Sequence, residues 1–444
     1  MKKLVLTFYF AFYIFNYAFS QNPLVKIWDK RFGGTNLDKL CCLKETKDMG
    51  YILGGFSVSS AGGDKTQPNW DTINPITQDY WMVKIDSLGS KQWDKDFGGT
   101  GEDHLYSLEH TKDGGYILGG WSNSGISGDK VQNTVGSWDY WIVKTDSLGN
   151  KEWDKDFGGN SDDRLYSLQQ TNDGGFILGG YSISGVGGDK TQPTWGNSYD
   201  YWIVKIDSIG NKQWDKDFGG TDDDFLFSLQ QTSDSGYIFG GISKSGISGD
   251  KTQLNWGGWD YWIIKTDALG NMQWDKDFGG TNNDRFYSLQ QTVNGGYILG
   301  GYSDSGISGN KTQNTWGGID YWILKTDSLG NKEWDKDFGG AGNEDEFRNI
   351  SQTVDNGYLI AGTSYSNISG NKTENNLGSE QTWVLKTDSL GIKEWDKTIF
   401  TLGHDEQGSA IQTKEGCYAV ANYTNGGIGG YKTQANWGCF WFNI

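Results

Sequence analysis

The chain is poor in the residues that catalysis and nucleic-acid binding draw on. It has three histidines, His104, His110 and His404, and four arginines, Arg31, Arg164, Arg285 and Arg348. No serine or cysteine stands at a recognisable spacing from a histidine, so no nucleophile–base pair can be assigned. Positive charge is also scarce. The formal net charge is −18, which repels phosphate backbones and anionic lipid and excludes nucleic acid and membrane surfaces as partners. Four cysteines are few for an exported chain. Cys41 and Cys42 are adjacent. Cys417 and Cys439 would sit near opposite ends of a hairpin, beyond the ~7 Å Cα separation that a disulfide tolerates. No disulfide is expected, and all four read as small buried apolar residues. No stretch shows helical apolar spacing, and after the first 20 residues no run is apolar enough to span a bilayer.

The N-terminus is the one long apolar run. Lys2 and Lys3 precede the segment from Leu4 to Phe15, and Ala18-Phe19-Ser20 follows before Gln21. A basic n-region, an apolar h-region and a small-residue cleavage site read as a signal peptide over 1–20. Residues 21–444 are then the mature chain. Abundant glycine, 67 residues, with 15% aromatic content suggests tight turns joining aromatic-rich strands.

The triplet Trp-Asp-Lys occurs seven times, at Trp28, Trp93, Trp153, Trp214, Trp274, Trp334 and Trp395. Spacings of 60 or 61 residues, with one of 65, mean a structural unit copied in tandem that buries its apolar surface against its neighbours. One unit reads as four strands. Leu165–Thr171 is strand A, and Asn172–Gly175 is a hairpin turn. Phe176–Tyr181 is strand B, followed by a long polar loop over 182–199. Tyr201–Ile206 is strand C, and Lys212–Phe218 is strand D, reached through a turn at Gly210. Strand C is apolar on both faces, so sheets must cover it from both sides. That is a β-propeller blade. The repeats are also out of phase with the termini. A lone D strand over 25–32 opens the mature chain, and strands A, B and C close it. The expected fold is therefore an all-β, seven-bladed β-propeller in which the N-terminal strand closes the last blade.

Gly-Gly ends strand B at Gly54-Gly55, Gly119-Gly120, Gly179-Gly180, Gly240-Gly241 and Gly300-Gly301. With a Trp early in strand D, this resembles kelch-type blades. The run from Lys144 to Trp153 resembles the strand–turn–strand of quinoprotein-type propellers. Over nearly the whole mature chain the phrase Asp-Tyr-Trp-Ile-Val-Lys-Thr-Asp-Ser-Leu-Gly-Asn-Lys is similar to secreted tandem-repeat propellers of Bacteroidota-type bacteria. That resemblance implies a β-propeller that is exported, often by type-nine secretion, and found outside the cell or on its surface, with the periplasm as the alternative. The few scattered arginines do not match a sialidase-like or quinoprotein-dehydrogenase propeller.

Two recurring polar sets should share one face, where the B–C and D–A loops emerge. One is an Asp before strand A: Asp38, Asp103, Asp163, Asp224, Asp284, Asp345 and Asp405. Asp103, Asp163 and Asp284 are read as locking their own turns. Asp224 and Asp345, with acidic neighbours, are the only candidate cation ligands, and calcium the only candidate ion; no other cofactor is expected. The other set lies in the B–C loops, where Lys65, Lys130, Lys190, Lys251, Lys311, Lys372 and Lys432 precede Trp70, Trp138, Trp195, Trp256, Trp316 and Trp437. Those indoles are candidate ligand-binding residues, able to stack on sugar rings or hold peptide side chains. The strand-D residues Trp93, Trp153, Trp214, Trp274 and Trp334 are read as packing between blades. No catalytic residues are assigned. The favoured reading is a monomeric binding protein for a glycan or an extracellular protein. The alternatives are a glycoside hydrolase or lyase using two carboxylates, and a purely structural surface protein.

Overall fold

The computed structural model describes residues 24–71, 77–344 and 346–436, and the backbone of 441–443. The expected export segment, 1–20, lies outside them. The third repeat shows the plan. Asp163–Gln170, Phe176–Ser182, Asp200–Ile206 and Lys212–Phe218 form strands A to D of one antiparallel sheet, bonded in chain order. The same four-stranded sheet recurs over 38–97, 103–157, 224–278, 284–338 and 349–399. Strand A is innermost in each and lines a central channel. Among the described residues no helix is long and apolar enough to cross a membrane.

The blade number requires a correction. The expectation was seven blades, but six complete blades are present, each made of four consecutive strands. Between the sixth and the first lies a reduced composite sheet of Asp405–Gln412, Tyr418–Thr424, Trp441–Asn443 and Arg31–Phe32. The N-terminal strand expected over 25–32 is only two residues long. Its partner strand has three, and a β-ladder reaches only as far as both strands do.

Strand C is buried at every position in all six blades, because neighbouring sheets cover both of its faces. Its aromatic pair couples the blades. Tyr201 lies 4.9 Å from the Trp262 ring of the next blade and donates its hydroxyl to the Trp262 carbonyl at 3.0 Å. Tyr80, Tyr140 and Tyr261 repeat the bond onto Trp141, Trp202 and Trp322. Trp93, Trp153, Trp214, Trp274 and Trp334 of strand D set an edge against the first residue of strand B in the next blade, at 5.9–6.1 Å. Trp28 makes the same contact with Tyr51.

Gly-Gly at the end of strand B answers a close approach. Strand A changes register between Leu165 and Ser167 and carries its backbone towards strand B. A Cβ on Gly180 would fall 1.9 Å from the Arg164 carbonyl oxygen. Cys41 and Cys42 are buried free thiols, whereas Cys417, expected to be buried, is exposed. Cys439 lies outside the described residues.

Candidate functional site

Two regions gather side chains of possible function: the central channel and the face that carries the B–C loops. The channel encloses about 610 Å³ between the innermost strands. One ring on its wall is a seam between blades. Ser107, Ser167 and Ser228 accept backbone N–H bonds from Leu168, Leu229 and Leu289 of the following blade at 3.1–3.3 Å. Beside it runs an aromatic ladder, Tyr106, Tyr166, Phe227 and Tyr287, with rings 4.6–5.3 Å apart. Arg348 breaks the ladder. Its guanidinium donates to the Cys41 carbonyl of blade one.

On the loop face, Trp70, Trp195, Trp256 and Trp316 occupy equivalent places. Their backbone N–H groups bond the aspartate that opens strand C, Asp79, Asp200, Asp260 and Asp320. Each indole lies against a glycine of the next loop, Gly128, Gly249, Gly309 or Gly370, all held at φ of 53–57°. Trp70 and Trp195 donate their indole N–H to Asp129 and Asp250 of that loop at 2.7 and 2.9 Å. The rings remain 47, 46, 46 and 57% exposed in chain order. Ile126, Val186, Ile247, Ile307, Ile368 and Ile428 project from the same loops into solvent.

Trp138 does not belong to this set. Val135 holds the equivalent place, bonding Asp139 through its N–H. Trp138 instead packs edge-on against Trp121 at 4.5 Å and under the Arg164 guanidinium at 5.4 Å. The spacing from the preceding lysine is the signal that separates the two: five residues for Trp70, Trp195, Trp256 and Trp316, and eight for Trp138. Trp437 lies outside the described residues.

The loop lysines are buried. Lys65 and Lys251 each pair with a strand-D aspartate at 2.5 Å, Asp96 and Asp277. Lys130, Lys190 and Lys311 pair with Asp156, Asp217 and Asp337. That aspartate in turn meets the one opening strand C. Burial first, then the neighbouring carboxylate, raises the pKa of Asp79 beside Asp96 and of Asp200 beside Asp217. Close carboxyl pairs with raised pKa values are what two-carboxylate hydrolysis uses. Here they recur in five blades, are buried, and are capped by a lysine, so they anchor the loop to its blade. In blade six both acids are replaced, by Gln381 and Thr398. Lys372 then bonds the Thr398 hydroxyl at 2.8 Å, and burial lowers its pKa to about 8.

The aspartates before strand A are buried in the D–A corner. Asp103, Asp163, Asp224 and Asp284 accept a glycine N–H at 2.7–2.8 Å and a serine hydroxyl from the loop above. Burial raises their pKa to about 6 against those bonds. Asp224 sits in this corner like its copies. In blade six the corner belongs to Glu344, which accepts Gly340 N–H and the Ser364 hydroxyl; Asp345, assigned there by spacing, lies outside the described residues. Glu344 stands three residues ahead of Phe347, where Asp163 stands two ahead of Leu165.

No known protein-family profile matches the chain. A stretch of 190 residues is 26% identical to the regulatory protein FlaEY of Caulobacter vibrioides. The match covers 41% of this chain and 19% of that relative's length. Among solved structures, a streptogramin B lyase superposes with a TM-score of 0.48 at 10% identity, over 94% of this chain and 97% of that one. A protein of unknown function from Bacteroides caccae gives 0.39 at 9% identity, over 72% and 89%. Hydrazine synthase of Kuenenia stuttgartiensis gives 0.47 at 7% identity, over 88% and 94%. Likenesses this remote bear on neither activity nor ligand.

Proposed function

We propose that the chain is a non-catalytic binding propeller, exported and acting outside the cell or on its surface, that engages glycan chains through its B–C loop face. The observation that supports this reading is the set of half-exposed indoles at Trp70, Trp195, Trp256 and Trp316. Each is backed by a glycine of the next blade, and two are oriented by an N–H bond to aspartate. A held aromatic plane open to solvent costs little conformational entropy on binding and matches the apolar face of a pyranose ring. A negatively charged chain suits a neutral rather than an acidic saccharide.

The test is a glycan and protein array probed with the purified mature chain, with and without calcium, followed by titration of any hit. Trp195→Ala and Trp256→Ala should each weaken glycan binding about tenfold, the scale of one aromatic stacking contact. Their unfolding midpoints should stay within a few degrees of the parent. Binding only to protein ligands, or glycan binding indifferent to both substitutions, would refute the proposal.

A further inference from the structure

The joint between the sixth blade and the composite sheet departs from the three joints that link blades two to five. In the regular copies, the residue before strand C's opening aspartate receives a backbone bond from the first residue of the next strand A. Asp163 N–H bonds the Trp138 carbonyl, Asp224 that of Tyr199 and Asp284 that of Trp259. The side chains there pack with the second residue of that strand A. Trp138 meets Arg164 at 5.4 Å, Tyr199 meets Phe225 at 5.2 Å, and Trp259 meets Arg285 at 5.9 Å. At the sixth joint the same backbone bond runs from Asp405 to the Glu380 carbonyl, and Glu406 is the second residue of strand A. An aromatic against a cation or an aromatic has become glutamate against glutamate. His404 stands between them, at the place held by Asp162, Asp223 and Asn283 in earlier repeats.

The three side chains converge. One ligand atom from each of Glu380, His404 and Glu406 lies within 4.8 Å of the others. His404 turns Nδ1 to Glu380 and Nε2 to Glu406. The Glu380 side chain is 1% exposed, and neither of its carboxylate oxygens has a hydrogen-bond partner. A buried carboxylate without such partners is strongly disfavoured unless a cation compensates it. An imidazolium at His404 would share one positive charge between two carboxylates and leave the second Glu380 oxygen without a donor. A neutral imidazole has a single N–H, so one of its two carboxylate contacts would set a lone pair against an anion. A metal ion held by one imidazole nitrogen and by an oxygen from each glutamate compensates the buried charge and takes up that nitrogen's lone pair. His404 and Glu406 remain partly exposed, which leaves a route for entry.

We propose that Glu380, His404 and Glu406 form a divalent metal site of the zinc class at this joint. One imidazole and two carboxylates suit zinc or manganese better than calcium, which prefers an all-oxygen set of six to eight ligands. Three protein ligands leave a coordination position for water or for a group of a bound partner.

The test uses the untagged mature chain, stripped with a chelator and dialysed against Zn²⁺, Mn²⁺ or Ca²⁺ separately. Metal analysis should return one equivalent of Zn²⁺ or Mn²⁺ and none of Ca²⁺ at the same concentration. Zn²⁺ should raise the thermal midpoint of the parent, and Co²⁺ should give visible d–d bands from a bound imidazole–carboxylate set. Glu380→Gln and His404→Ala should each lose more affinity than the roughly 10- to 100-fold that outer-sphere changes cost. Both variants should keep the parent's circular-dichroism spectrum and lose the Zn²⁺-dependent midpoint shift. No stoichiometric metal, preference for Ca²⁺, or Zn²⁺ binding unaltered in both variants would each overturn the assignment.

Discussion

Trp262 is enclosed by its own blade and the one before it. Its carbonyl accepts the Tyr201 hydroxyl, its indole N–H donates to Asp275 at 3.1 Å, and the Lys251 ammonium stands 5.7 Å from its ring. Replacing it with alanine leaves a cavity between two rigid sheets, takes a donor from Asp275 and removes the ring beside Lys251. Trp262→Ala should lower the unfolding free energy by roughly 3–5 kcal/mol; a denaturant titration giving less than ~1 kcal/mol would mean that the blades close over the gap. The glycine pair separates two kinds of crowding at single positions. A methyl on Gly179 would meet the Leu229 side chain at 2.5 Å, which can rotate away, whereas one on Gly180 would meet backbone at 1.9 Å. Gly180→Ala should therefore cost distinctly more stability than Gly179→Ala, and equal midpoints for the two would count against the close approach.

Each blade behaves as an element stapled at both ends by aspartates in opposite electrostatic circumstances. Asp48, Asp113, Asp173 and Asp355, in the A–B turns, are pulled down to about 2, chiefly by hydrogen bonds from neighbouring threonines and lysines that outweigh burial. Their contribution to stability is present above the unfolded value of ~3.9 and is lost as pH falls through about 2. Asp38, Asp103, Asp163, Asp224 and Asp284, in the buried corners, are raised to about 6 by burial. The sign reverses for them. Between ~3.9 and about 6 the folded chain holds protons that the unfolded chain has released, so this contribution is full at low pH and disappears as pH rises through about 6. The urea midpoint should peak at pH ~4 and decline towards neutrality. A midpoint that rises steadily from pH 4 to 7 would show that the glycine and serine bonds to these corners outweigh burial.

Taken whole, the molecule depends on a closure held less by strand pairing than by side chains. Arg31 and Phe32 pair with Asn443 and Phe442, and that is the whole ladder among the described residues. Around it, Lys26 donates to the Tyr431 carbonyl at 2.7 Å, Asp29 accepts Thr433 N–H at 2.8 Å, and Arg31 N–H bonds Gln434. Trp28 reaches over the junction to Tyr51 of blade one. A chain beginning at Gly33 should lose the single cooperative transition and expose the edge of the composite sheet to self-association, seen as a larger species by light scattering. An unchanged midpoint with monomeric mass would show that the six complete blades hold the ring without this segment.

From the sequence alone, the Trp-Asp-Lys period, the doubly apolar strand C and the split repeat specified a propeller of stacked antiparallel sheets. Periodicity of that kind is written residue by residue, and any copy of the unit shows it. The length of the closing strand was not legible, because a ladder at 31–32 depends on how far 441–443 extends beside it. The offset of Trp138 and the replacement of Asp345 by Glu344 turned on spacings of one to three residues within loops, where the period is loosest. The meeting of Glu380, His404 and Glu406 was invisible for a different reason. A glutamate ahead of strand C and a histidine and glutamate at the next strand A become neighbours only when adjacent sheets stack around the ring, and that stacking is a property of the tertiary structure.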